Sequence, residues 1–154
     1  MKKFILIAVC LMMGLTVRAS ETQDVLAFFN RYVNSANNYK ADFFDFYAPN
    51  ASIVRVVVKP DGSKQSVQVP FDVYKRQSKM SARFGKIKKY KNDYSNINVE
   101  KIGSDYKIDA LRRPSTSDYK LPASFVVTKD SQGQWKIKNE SMETKVQGFL
   151  RRSN

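Results

Sequence analysis

The sequence predicts an α+β fold, with three helices in the N-terminal half packed on a curved antiparallel sheet of about six strands. Three observations carry that expectation. Apolar residues recur at helical spacing before Tyr47, two β-branched runs flank Pro60-Asp61-Gly62, and from Lys88 onward the pattern alternates with period two between short polar turns. An order with helices first and a long meander last places the helices together on one face of the sheet.

A different kind of segment precedes the helices. Lys2 and Lys3 lead into an apolar run from Phe4 to Val17, broken only by Cys10, Gly14 and Thr16, and then Val17-Arg18-Ala19. This is the pattern of a secretory signal peptide over residues 1–19, cleaved after about Ala19, and it predicts a periplasmic or secreted chain. The run is shorter than the ~20 apolar residues a membrane span needs, so no transmembrane segment is expected in the mature chain. Val9 stands before Cys10 where lipidation wants a small residue, which disfavours an acyl anchor. Losing three cations (Lys2, Lys3, Arg18) from 27 leaves 24 against 14 acids, a charge of +10, and no cysteine. The mature chain then holds its shape without disulfides. About 135 residues suffice for one core, so 20–150 reads as a single domain followed by a loose tail over 151–154.

Ser20-Glu21-Thr22-Gln23 has the form of a capping box, and Val25, Phe29, Tyr32 and Ala36 follow on one stripe, predicting a helix over about 21–37. Asn34, Asn37 and Asn38 close it, because their side chains compete for backbone hydrogen bonds. A short aromatic helix over about 40–47 ends before Pro49. The stretch 51–59 is too β-branched for a good helix and reads as a strand, with Val54, Val56 and Val58 on the core face. Arg55 then lies on the opposite face or lines a polar part of a cleft. Its partner strand spans 64–69, and Pro70 suits the first position of a helix running to about Arg83. Strands over about 90–102, 106–113, 121–129 and 134–145 complete the chain as antiparallel neighbours.

No histidine is present, which removes the commonest general base and the commonest zinc ligand. No metal site and no cofactor are expected. Between residues 75 and 91 stand Lys75, Arg76, Lys79, Arg83, Lys86, Lys88, Lys89 and Lys91, with no acid among them. Lys75, Lys79 and Arg83 repeat every four residues and share one helix face, where like charges repel. Such a basic patch suits an anionic lipid, an anionic polymer or an acidic protein. Nucleic acid is disfavoured, since the patch carries no recognised nucleic-acid motif.

Phe43-Phe44-Asp45-Phe46-Tyr47-Ala48-Pro49-Asn50-Ala51, Pro60-Asp61-Gly62 in the hairpin and Gly133-Gln134-Trp135-Lys136-Ile137 before the last strand carry a resemblance. With this order of elements, the chain resembles the nuclear transport factor two-like superfamily, whose cystatin-like fold is cone-shaped, and specifically an exported bacterial member. The resemblance implies a conical cavity between sheet and helices, and often a homodimer paired through its sheets. In such a cone Tyr39, Phe43, Tyr47, Phe71 and Tyr74 would line an apolar space with Arg55 or Arg112 as charged anchor, suited to a small amphipathic anion. The steroid isomerase branch uses a carboxylate base a few residues into the first strand, which corresponds to about Arg55 here. Arginine cannot take a proton at neutral pH, so that chemistry does not carry over. An exported binding or accessory protein is the expectation, engaging its ligand or partner through the cone or the basic face. The alternative is a small isomerase or dehydratase using Asp109, Asp42 or Asp45 with Tyr32 as donor. The binding expectation assumes a hollow without a working proton acceptor.

Overall fold

The computed structural model describes residues 2–152, with side chains described from Ser20 to Arg151. Helix α1 spans Lys2–Asn37 without interruption. Ser20 therefore lies inside α1, and the capping box does not open a helix. Glu21 reaches the sheet instead, accepting hydrogen bonds from Lys129 (2.9 Å), Lys101 (3.1 Å) and Tyr106 (2.9 Å). Of the expected leader, Met1 and the side chains through Ala19 lie outside the described residues. No helix among the described residues is long and apolar enough to cross a membrane.

Val25, Phe28, Phe29 and Tyr32 are buried, and their spacing of three, one and three residues puts them on one side of α1. That side rests on the sheet, where Phe29 meets Phe125 edge to face at a ring separation of 5.0 Å. At the end of α1 the Asn38 side chain donates to the Asn34 carbonyl at 2.8 Å, and Tyr39 turns the chain with φ 52°. The next helix, expected over about 40–47, spans Ala41–Phe46 and is a 3-10 helix. Tyr47 already belongs to a strand, because Pro49 follows too closely for another helical turn.

The sheet comprises β1 (Tyr47–Val58), β2 (Lys64–Val69), β3 (Asn92–Ile102), β4 (Asp105–Pro114), β5 (Leu121–Lys129) and β6 (Trp135–Thr144), in the spatial order β2-β1-β6-β5-β4-β3. Helix α2 (Phe71–Ile87) connects β2 to β3, and a final 3-10 helix, Gln147–Arg152, occupies part of the stretch expected as a tail. Three helices on a curved six-stranded sheet make this an α+β cone. The sheet is mixed, however, and not antiparallel throughout: the last strand returns beside the first and pairs with it in parallel.

The face of β1 also differs from expectation. Ile53, Arg55 and Val57 are buried while Val54, Val56 and Val58 are only partly so, so the core lies on the odd-numbered face and Arg55 points into the cone. The even-numbered face is all valine from Val54 to Val58 and the odd-numbered one carries Arg55 between Ile53 and Val57, so apolarity alone favours the wrong face. What chooses is β6. Val126 pairs with Asn139 and the next residue, Val127, with Ile137, so Lys138 is an extra residue in the ladder. This bulge shifts the alternation, with Ile137 buried before it and Glu140, Met142 and Thr144 buried after it. A carboxylate is thereby turned inward opposite Ile53, two residues from Arg55 along the ladder.

Candidate functional site

The floor of the cone is a polar network in a dry setting. Arg55 Nη2 donates to Glu140 Oε1 at 2.7 Å, with side chains 9% and 0% exposed. The other carboxylate oxygen, Oε2, accepts from Tyr47 Oη at 2.5 Å and Tyr32 Oη at 3.2 Å. Tyr47 Oη also lies 3.2 Å from Tyr32 Oη and 3.3 Å from Tyr74 Oη. Burial pulls the Arg55 guanidinium toward deprotonation, but the adjoining Glu140 carboxylate outweighs it and holds the pKa above its usual value. Desolvation first, and Glu140 second, push the Tyr32 and Tyr47 phenols well above the ordinary tyrosine range. The same causes raise Tyr74 to about 12 despite the opposing Arg55 charge. All three phenols therefore remain protonated donors at neutral pH.

Above this floor lies a cavity of about 380 Å³. Tyr32, Phe43, Arg55, Tyr74, Tyr94 and Arg112 line it, together with Met142, Phe149 and the polar Asn92, Ser78 and Ser81. Glu140 and Tyr47 are not on the lining; Arg55, Tyr32 and Tyr74 stand between them and the space. Arg112 stands differently from Arg55. It donates to Asn92 Oδ1 at 2.9 Å and to the Glu143 carbonyl at 3.0 Å, and its buried Nε has no acceptor. No carboxylate among the described residues pairs with it. Among the described residues, the cone interior thus contains two buried guanidiniums and one buried carboxylate.

Of the residues expected in the cone, Phe43, Arg55, Tyr74 and Arg112 line this cavity. Tyr39 lines an adjoining groove of about 690 Å³ between α2 and the segment following α1, where its hydroxyl donates to the Tyr90 carbonyl. Tyr47 lies beneath the floor, and Phe71 packs on it with ring centroids 5.3 Å apart. The carboxylates considered for catalysis lie elsewhere. Asp109 is 42% exposed and pairs with Lys107 at 2.8 Å, Asp42 accepts from Ser35 at 2.6 Å, and Asp45 is exposed. Tyr32 does act as a donor, but toward Glu140, a residue the sequence reading did not single out. Glu140 is a buried acid beside phenols, but it lies under the cavity and off its lining, with both oxygens engaged. The signal for it was the sequence Glu140, Met142, Thr144, which reads as one face only once the Lys138 bulge is known. Among the described residues no cluster of three or more acids or other ligating side chains could hold a metal ion.

The basic residues Arg76, Lys79, Arg83, Lys86, Lys88, Lys89 and Lys91 are exposed on and just after α2, and Lys75 is half-buried with its ammonium 4.9 Å from the Phe71 ring centroid.

No protein-family model matches the sequence, and no curated protein sequence matches it. The structure does match solved structures. An NTF2-like protein with a cystatin-like fold from Novosphingobium aromaticivorans is 10% identical, covers 88% of this chain and 89% of its own, and superposes with a TM-score of 0.64. An NTF2-like protein of unknown function from Pseudomonas putida is also 10% identical, with 81% and 87% coverage and a TM-score of 0.63. The CaMKII hub of S. rosetta is 15% identical, with 79% and 94% coverage and a TM-score of 0.56. At such identities the likeness establishes the fold, an NTF2-like cone, and leaves the chemistry to the site.

Proposed function

We propose that this chain is an exported accessory protein whose cone binds a small amphipathic anion, an apolar body with one carboxylate or similar headgroup, without transforming it. The observation that carries this reading is Arg112. A buried guanidinium on the cavity lining with no carboxylate to pair with leaves one positive charge unmatched, and an incoming anion would supply the opposite charge. Arg55 does not compete for it, because Glu140 neutralises it. Phe43, Met142 and Phe149 offer apolar walls for the rest of the ligand, within a volume typical of small-molecule sites.

One observation favours a second reading. Glu140 is a desolvated carboxylate beside two phenols, the pairing that isomerase and dehydratase chemistry employs. Its geometry argues against that role, since Oε1 is held by Arg55 and Oε2 receives two phenolic protons, and the carboxylate is off the cavity lining. A base must reach the proton it removes.

Native mass spectrometry of protein purified from its own cell envelope tests the binding reading. A retained anionic ligand is expected in the wild type. Arg112→Gln should weaken rebinding on the order of tenfold or more, with Arg112→Lys intermediate, as a lost charged hydrogen bond implies. Equal binding by Arg112→Gln, or a cavity that takes no anion, would refute it. Turnover of an enolisable or dehydratable small molecule by the wild type would select the second reading.

A further inference from the structure

Helix α2 packs on the rest of the molecule along one side only. Tyr74, Ser78, Ala82 and Gly85 face the cavity and the groove. Turned away from the cavity, Met80, Phe84 and Ile87 are 70%, 68% and 74% exposed, with Phe84 at the rim of the groove. Their spacing of four and three residues makes them one stripe. Single exposed apolar residues are ordinary, but three large ones aligned on a helix are not. Arg76 and Arg83 each stand four residues before a member of the stripe, Met80 and Ile87, and Lys79 and Lys86 lie beside them. None of these four cations is paired with a carboxylate among the described residues.

Charge decides which partner fits. A second copy joined through this face would bring the same cations against one another, since a twofold contact uses one patch on both sides. An anionic bilayer instead presents negative headgroups above an acyl layer, the two chemistries in the order this face offers them. We infer that the outer face of α2 is a docking surface for anionic lipid bilayers: Arg76, Lys79, Arg83 and Lys86 meet the headgroups, and Met80, Phe84 and Ile87 enter the acyl boundary. The inference stands on α2 alone and survives if the cavity proves empty. It also gives the groove a setting. The groove shares Tyr74, Ser78 and Asn92 with the cavity and has Phe84 and Lys88 on its lining, so docking would hold its mouth against the lipid.

The test places an indole on the stripe. The full chain has one tryptophan, Trp135, whose emission gives the baseline, and Phe84→Trp adds a reporter at an exposed site. On phosphatidylglycerol vesicles the added indole should shift to shorter wavelength and be quenched by brominated acyl chains. On phosphatidylcholine vesicles it should do neither, and raising salt from about 50 to about 500 mM should release the protein. Arg76→Glu with Arg83→Glu should lower partitioning on the order of tenfold or more, since each cation near an anionic surface contributes measurably. Should that double variant fail to fold, the Phe84→Trp quenching alone decides. Binding to phosphatidylglycerol without quenching at position 84 would place the contact elsewhere, including residues 1–19, and overturn the inference. A shift produced by protein concentration alone, or by an acidic protein and not by vesicles, would overturn it as well.

Discussion

The floor of the cone and the outer face of α2 both set cations beside apolar side chains, and they handle the charge in opposite ways. Inside, Arg55 is 8% exposed and has a carboxylate at 2.7 Å, with two phenols closing the rest of that carboxylate. Outside, Arg76, Lys79, Arg83 and Lys86 have no carboxylate partner among the described residues, while the apolar Met80, Phe84 and Ile87 among them remain exposed. A buried charge must be matched when the chain folds, whereas an exposed one can wait for a partner. Arg112 lies between the two regimes, buried like Arg55 yet lacking an anion like α2. For that reason the cavity reading rests on Arg112 and not on the better-connected Arg55.

The largest effect should come from breaking the interior pair. Glu140→Gln leaves Arg55 charged and unmatched, which should cost about 3–5 kcal/mol in urea unfolding. Replacing both residues with apolar ones, as in Arg55→Met with Glu140→Leu, should recover most of that loss. Phe84→Ser on the outer face should shift stability by no more than about 0.5 kcal/mol. If Glu140→Gln proves as mild as Phe84→Ser, water reaches the floor and the contrast between the two regions collapses.

That contrast was only partly legible in the sequence. The strands after α2 were readable because Tyr106, Ile108, Ala110 and then Ala123, Phe125, Val127 alternate without a break and are all buried. The parallel pairing of β1 with β6 was not, since no short turn joins strands so far apart in the chain, and only turns announce neighbours. Glu140 was hidden by the bulge at Lys138. A strict period of two continued from Trp135 and Ile137 would send Glu140 outward, and with it the one reason for Arg55 to point inward. The basic run was plain in the sequence, but the exposure of Met80, Phe84 and Ile87 was not, because an apolar residue on a helix is read as core until the packing says otherwise.

A smaller effect tests the seam joining the two regions. Gly85 lies on the inner side of α2, where an added Cβ would come within 2.6 Å of Tyr39 Oη. Tyr39 cannot swing aside freely, since its hydroxyl is tied to the Tyr90 carbonyl. Gly85→Ala should therefore destabilise by about 1–2 kcal/mol, even though alanine favours a helix over glycine by up to ~1 kcal/mol. The double variant Gly85→Ala with Tyr39→Phe should regain little if the ring itself is the obstacle, and more if the hydroxyl is. A stabilised Gly85→Ala would mean that α2 can lift off the groove at little cost, and the outer face would then be less independent of the cavity than described.

A smaller effect again concerns Glu21, which ties α1 to the far edge of the sheet and supplies a half-buried counterpart to Glu140. Hydrogen bonds from Lys129, Lys101 and Tyr106 lower its pKa from the usual carboxylate value of 4.5 to about 2. A carboxyl depressed in the folded state stabilises fully above its unfolded pKa and loses that contribution as the pH falls through its folded one. The acid limb between pH 4.5 and about 2 should accordingly be shallower in Glu21→Gln than in the wild type. At neutral pH the substitution should cost less than about 1 kcal/mol, because Lys129 and Lys101 are partly solvated and screened, and the difference should shrink further in high salt. Glu140, sealed under the cavity, should show no such salt sensitivity. Should salt erase the cost of Glu140→Gln as readily as that of Glu21→Gln, the two carboxylates would share one solvent environment, and the dry floor on which Arg112 is singled out would be lost.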